Sequence, residues 1–182
     1  MRNVPIRTIH EQVAYQNRFI TVMDDEVEFP DGSLGRYLRI VESEGRPGAA
    51  MLAECDGRFA LVRTFRYALG DWEWAIPRGF AHGDDPLTTA RRELVEELGA
   101  EPVEVVPVGT VTPDSGLLSA TVHLVHARYD TEIAAPLDTD EVTGVRWVDL
   151  DTLRHEIRDG RIVDGFTLSA LAAAAIHGII SL

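Results

Sequence analysis

Cysteine is nearly absent: Cys55 stands alone among 182 residues. A disulfide framework and a cysteine-ligated zinc site are therefore excluded. Basic residues are outnumbered, 17 against 30 acidic, for a formal net charge of -13. Such a chain has no basic stripe for a polynucleotide backbone, so no nucleic-acid partner is expected. A small anion can still be held where arginines or metal ions reverse the field inside one cleft. Long apolar runs are missing too. The opening "MRNVPIRTIHEQ" has no apolar stretch of the signal-peptide kind, and "LSALAAAAIHGII" is too short to span a bilayer and reads as a packed helix. The six histidines show no ligand spacing. No membrane partner is expected, and the reading is a cytoplasmic enzyme or binding protein.

Hydrophobic residues make up 45% of the chain, enough to fill a core. Two β-rich runs flank Pro30-Asp31-Gly32, which predicts a hairpin. A second hairpin follows, "GAAMLAEC" and "RFALVRTFRYA" around Asp56-Gly57. "DWEWAIPRGFAHGDD" reads as a short strand entering a loop. Asp85 and Pro86 are suited to the N-cap and first position of a helix that Gly99 would end. Its buried stripe is Leu87, Ala90, Leu94 and Leu98. Three more strands ("VEVVPVGTV", "ATVHLVHARY", "TGVRWVDL") and two helices ("LDTLRHEIRDG", "GFTLSALAAAAIHG") complete the chain. The fold class is α+β, a mixed α/β sandwich with helices covering a sheet.

The helix poses the chemical question. Glu93, Glu96 and Glu97 are three and four residues apart and share one side, opposite the apolar stripe. Like charges at that spacing repel. Either water dilutes the repulsion on a solvated face, or a cation removes it. Hard divalent ions such as Mg²⁺ or Mn²⁺ take oxygen ligands and suit converging carboxylates. Arg92 and Glu96 form an i,i+4 pair, so the arginine can orient a carboxylate.

The stretch "GFAHGDDPLTTARRELVEELGA", Gly79 to Ala100, resembles the Nudix box. Its second half fits without a gap, from Arg92 and Glu93 through Glu96 and Glu97 to Gly99. Asp84 stands where the family has glutamate, and the loop from Gly79 to Asp84 is one residue short. The resemblance implies a mixed sheet between helices and hydrolysis of a nucleoside diphosphate linked to another group. It implies Glu93 and Glu97 as main ligands of Mg²⁺ or Mn²⁺, Glu96 assisting, and Arg92 orienting them, with Glu97 central to catalysis. The backbone carbonyl of Arg78 is a further ligand on that pattern.

Outside the box, "LVRTFRYALGDWEWAIPRG", "TPDSGLLSATVHLVHA" and the closing "GRIVDGFTLSALAAAAIHG" are similar to the ADP-ribose pyrophosphatase-like branch. That similarity implies an N-terminal β element over residues 1–45 that pairs across a homodimer, followed by the hydrolase domain over 46–182. It implies substrate contacts at Arg66, Arg78 and Pro113, and a general base in "LDTDEVTGVRW". Among Asp138, Asp140 and Glu141, the last is the candidate because it precedes a strand; a solvated acidic turn is the alternative. Trp72 and Trp74 are read as core in preference to a base pocket. Ala75 replaces the glutamate usual in relatives. Together with the shortened loop, it keeps open a domain that binds a nucleotide without cleaving it.

Overall fold

The computed structural model describes residues 5–80 and 85–181 and divides them into two compact units. The first runs to Arg46 and takes in Thr112–Thr121. Its sheet is antiparallel throughout: β3 (Ile20–Glu28) pairs along its full length with β4 (Leu34–Glu42). On the other edge of β3 lie β1 (Arg7–His10) and β2 (Val13–Gln16). The turn between β3 and β4 closes as the Pro-Asp-Gly signal predicts, with Asp31 Oδ1 accepting from Ser33 N at 2.9 Å. Strands β1 and β2 were not foreseen; each is four residues long and exposed throughout. Such short segments carry too little alternation to be read as strands. Between them, the buried Asp25 carboxylate bridges the break, accepting from Gln12 N at 3.1 Å and from Arg39 Nε at 2.7 Å.

The second unit is built on a mixed sheet of seven strands, ordered β11-β6-β5-β10-β9, with β7 paired to β6 and β8 to β5. The strands are β5 (Gly48–Cys55), β6 (Arg58–Arg66), β7 (Asp71–Ala75), β8 (Arg78–Phe80), β9 (Glu104–Val111), β10 (Val122–Arg128) and β11 (Val142–Asp149). Only β5 and β10 run parallel. As the central strand, β5 is covered on both sides, which explains its nearly unbroken apolar sequence. Ala49, Met51 and Ala53 face the helix α1 (Pro86–Leu98), with Ala90, Leu94 and Leu98. Ala50 and Leu52 face the other way, toward Leu153 of α2 (Leu150–Arg158) and Ala170, Leu171 and Ala174 of α3 (Gly165–Ile176). The expected α+β sandwich, a mixed sheet between helices, is the observed one.

Helix α1 begins and ends where its sequence says. The Asp85 carboxylate accepts from Leu87 N and Thr88 N, and Pro86 needs no partner at the first turn. Gly99 closes the helix at φ 94°, donating to the Val95 carbonyl. Of the predicted stripe, Ala90, Leu94 and Leu98 are fully buried and Leu87 is half-buried. Each buried leucine contributes about 2 kcal/mol, which fixes which face of the helix is left for the glutamates.

Candidate active site

Strand β8 lies beside β5, with Ala49 opposite Gly79, and α1 packs on both. This brings Glu93 against the backbone of Gly79. A Cβ at position 79 would fall inside the Glu93 carboxylate, so glycine there lets that carboxylate keep its place. Arg92 closes the arrangement from outside, with Nη2 2.8 Å from Glu93 Oε1 and donating to the Phe80 carbonyl at 3.0 Å. One turn on, Glu97 is 8% exposed, and its buried Oε2 has no hydrogen-bond partner.

An unpaired carboxylate in that position is costly when ionised. Burial, then the neighbouring Glu93 charge, push Glu97 from 4.5 up to about 8, while the Arg78 backbone amide pulls weakly the other way. Burial also raises Glu93, against the pull of Arg92. The two glutamates thus crowd each other in a buried place. Without a cation the strain is relieved by a proton on Glu97 and not by any side-chain partner among the described residues.

Glu96 behaves differently from the expectation of three converging carboxylates. Its side chain is 44% exposed and turns to Arg92 Nη1 at 3.3 Å. Among the described residues no three acidic, histidine or cysteine side chains gather into a cage. The backbone of Glu96 has a separate task, since its carbonyl accepts from Leu137 N at 2.8 Å and Asp138 N at 3.1 Å. Those bonds dock the acidic loop onto α1. Asp138 Oδ1 in turn accepts from Asp140 N and Glu141 N at 3.2 and 3.1 Å, so Asp138 is spent on shaping the turn. Glu141 is left to face the site, close enough that its charge raises both Glu93 and Glu97.

A cleft of about 510 Å³ opens between this loop and the β6–β7 hairpin, lined by Arg66, Phe65, Trp72, Asp140 and Glu141. A larger cavity of about 640 Å³ is lined by Trp72, Glu73, Trp74, Arg146 and Glu156, and no box glutamate lines either one. Arg146 there pairs with Glu156 through its terminal nitrogens, Nη1 at 2.9 Å, while its buried Nε has no partner among the described residues. The smaller cleft is the one lined by Glu141, whose charge reaches Glu93 and Glu97. Arg78 lies close to Arg66, its Nη2 3.8 Å from the Glu73 oxygen that Arg66 also meets, and is bound to Asp164 at 2.8 Å and stacked over Phe166. Burial lowers its pKa, with Asp164 opposing. Trp72 is not core: it is 42% exposed, edge-on to Phe65 and under the Arg63 guanidinium. The strand ends at this tip, so its apolar neighbours do not enclose it. Trp74 is half-buried, with Arg146 over its ring. Pro113 belongs to the first unit and is exposed. Asp84 and His82 lie outside the described residues.

The NUDIX domain pattern matches residues 45–166, two thirds of the chain and the whole of the acidic helix. The chain belongs to the Nudix family. Residues 6–37 match the nucleoside diphosphate sugar hydrolase N-terminal domain. A CMP-5'-(N-acetyl-N-hydroxy-3-aminopropyl)phosphonate hydrolase of Streptomyces rubellomurinus is 30% identical, over 92% of this chain and 82% of its own. The ADP-ribose pyrophosphatase of Bacillus subtilis is 28% identical, over 94% of this chain and 93% of its own. A crystal structure of an ADP compounds hydrolase superposes with a TM-score of 0.82 at 18% identity, covering 98% of each chain, and so shares the fold.

Nudix hydrolases work with divalent cations, and the residues present fit one. Glu93 and Glu97 offer buried carboxylate oxygens, Glu97 Oε2 is unpartnered, and Gly79 leaves the adjoining backbone bare. A site for Mg²⁺-like ions needs little more, because such ions keep much of their water. Sequence reasoning missed Glu73, whose Oε2 is 3.3 Å from Arg66 Nε, and the buried Asp164. The signal was present for both: Glu73 alternates in step with Arg66 across the hairpin, and Asp164 precedes an N-terminal helical turn.

Proposed function

We propose that this Nudix protein hydrolyses the diphosphate bond of ADP-ribose or a related nucleoside diphosphate sugar, giving a nucleoside monophosphate and a sugar phosphate. The observation that carries the reading is the Glu93–Glu97 pair, buried beside Gly79 with one oxygen unpartnered. Glu93 and Glu97 hold Mg²⁺ or Mn²⁺, Glu96 assists from the solvent side, and the Arg78 carbonyl adds a backbone ligand. A divalent ion bound there would supply Lewis acidity toward the phosphate oxygens and acidify a bound water. Arg92 keeps the glutamates in place through its bond to the Phe80 carbonyl. Glu141 takes the proton of the attacking water, and Arg66 and Arg78 meet the charge that grows on the phosphates. Pro113 completes the substrate contacts.

The relatives' names support this substrate class, and the match of residues 6–37 supports a nucleotide sugar. Residues 1–45 form the dimerisation element of a cytoplasmic homodimer. The exposed Val13, Tyr15, Phe19 and Leu34 of the first unit support that reading. The test is a product-resolved screen of ADP-ribose, other nucleotide sugars and dinucleotides with Mg²⁺ or Mn²⁺, repeated in chelator. AMP and ribose 5-phosphate should appear from ADP-ribose and vanish in chelator. An uncleaved panel defeats the proposal; nucleotide binding without product would point to a sensor instead.

A further inference from the structure

Arg66, which lines the cleft, and Arg78, which meets the same Glu73 oxygen, are held in different ways. Arg78 spends Nη1 on Asp164 at 2.8 Å, and Asp164 is itself fixed by capping α3 through Thr167. With Phe166 under its plane, Arg78 is anchored on the α3 side. Arg66 has, among the described residues, one polar partner: Nε lies 3.3 Å from Glu73 Oε2. That same oxygen is 3.8 Å from Nη2 of Arg78. The Glu73 side chain is 11% exposed, so this contact is no loose surface pair.

The strand register explains the contact. Thr64 pairs with Glu73 and Arg66 with Asp71, which makes Arg66 and Glu73 diagonal neighbours on one face. A guanidinium carries five donors in one plane. Engaging Nε from one side leaves the opposite edge of Arg66, with its two terminal nitrogens, free to bind. That edge is the fork that matches two phosphate oxygens. Glu73 also stands between two cations that would otherwise repel, and without it each would turn away from the other.

We propose that Glu73 is a positioning residue that sets the free edge of Arg66 toward the cleft, where it grips the substrate diphosphate. This rests on the hydrolase reading above. Anchoring in advance matters because a free arginine must give up its rotamer freedom on binding. A merely structural Glu73 would move stability and leave binding alone.

The test is a double-mutant cycle on the full chain with ADP-ribose: wild type, Glu73→Gln, Arg66→Ala, and both together. Glu73→Gln should raise KM about tenfold with kcat within about threefold, the signature of lost ground-state binding. In the Arg66→Ala background the same change should have no further effect. Titrating ADP-ribose into the four forms carried on a Glu97→Gln background reads the same coupling without turnover. Should Glu73→Gln fail to fold, Glu73→Asp keeps the charge at shorter reach and should fall between wild type and Arg66→Ala. Cleavage by wild type with an undiminished Glu73→Gln effect after Arg66 is removed overturns the positioning role alone. Where another nucleotide sugar of the panel is the one cleaved, the cycle is run with it. Coupled binding without cleavage of any member overturns the hydrolase reading alone, and no binding of any member overturns both.

Discussion

Both units are rich in acid and pair much of it with arginine, but among the described residues the second also buries a carboxylate oxygen that nothing meets. In the first, nearly every carboxylate on the sheet meets an arginine: Asp24 with Arg36 at 2.7 Å, Asp25 with Arg39 at 2.7 Å, Glu28 with Arg7. That unit buries Met23 and Val27 but leaves many apolar side chains outside, Leu34 at 75% and Phe19 at 61% exposure. The second unit buries its apolar residues in two layers and then leaves Glu97 inside with an oxygen that nothing satisfies. A paired acid on a surface ladder is what folding would produce unaided. A buried acid without a partner persists only if something else compensates for it. The contrast separates structural charge from working charge more sharply than counting glutamates does.

Removing the unpaired acid should therefore have the largest effect. Glu97→Gln should lower kcat for ADP-ribose by about a thousandfold in steady-state assays while the far-UV spectrum stays unchanged. Near-full activity would strip Glu97 of its role. Gly79→Ala should follow with a loss of about a hundredfold, because the new methyl displaces the Glu93 carboxylate.

A smaller effect, on stability, sharpens the same contrast. Glu97 holds its proton more tightly in the folded protein, up to about 8 against 4.5 in the unfolded chain. Its contribution to stability is thus full below 4.5 and is lost as pH rises toward 8. In chelator, Tm should fall over that window by about 5 °C more in wild type than in Glu97→Gln. Saturating Mg²⁺ should return most of the difference at the alkaline end. Equal slopes for the two proteins would mean that Glu97 is not buried as described.

The paired acids should give the least. Asp25→Asn breaks a buried pair and should cost about 2 kcal/mol in urea unfolding. Arg7→Ala breaks an exposed one and should leave the midpoint unchanged. A larger loss at Arg7 than at Asp25 would reverse the ranking.

How much of this was legible depends on the residue. Helix α1 could be read to the residue, because Asp85, Pro86 and Gly99 each act through local backbone geometry. The acidic pair on it was legible as well, since helical spacing alone puts Glu93 and Glu97 on one face. Their depth was not, for it depends on Gly79 arriving from β8, a contact between distant segments. Glu96 was legible in part: its i,i+4 pairing with Arg92 follows from spacing, while the outward turn toward that partner depends on a rotamer that spacing does not fix. Trp72 was taken for core because a tryptophan among apolar neighbours usually is, and only the hairpin tip leaves it half in water. The thin strands β1 and β2 were invisible because their pairing comes from β3 and not from their own composition.

The junction of α1 with the loop that follows β10 has a mechanical side. Ala135 N bonds to the Leu98 carbonyl, and Leu137 N and Asp138 N bond to that of Glu96. These are main-chain links, indifferent to which side chains stand at those positions. Glu141 is thus carried on a bracket bolted to the same rod that bears Glu93 and Glu97. Substitutions along the bracket can change its side chains while the spacing between Glu141 and the acidic pair endures.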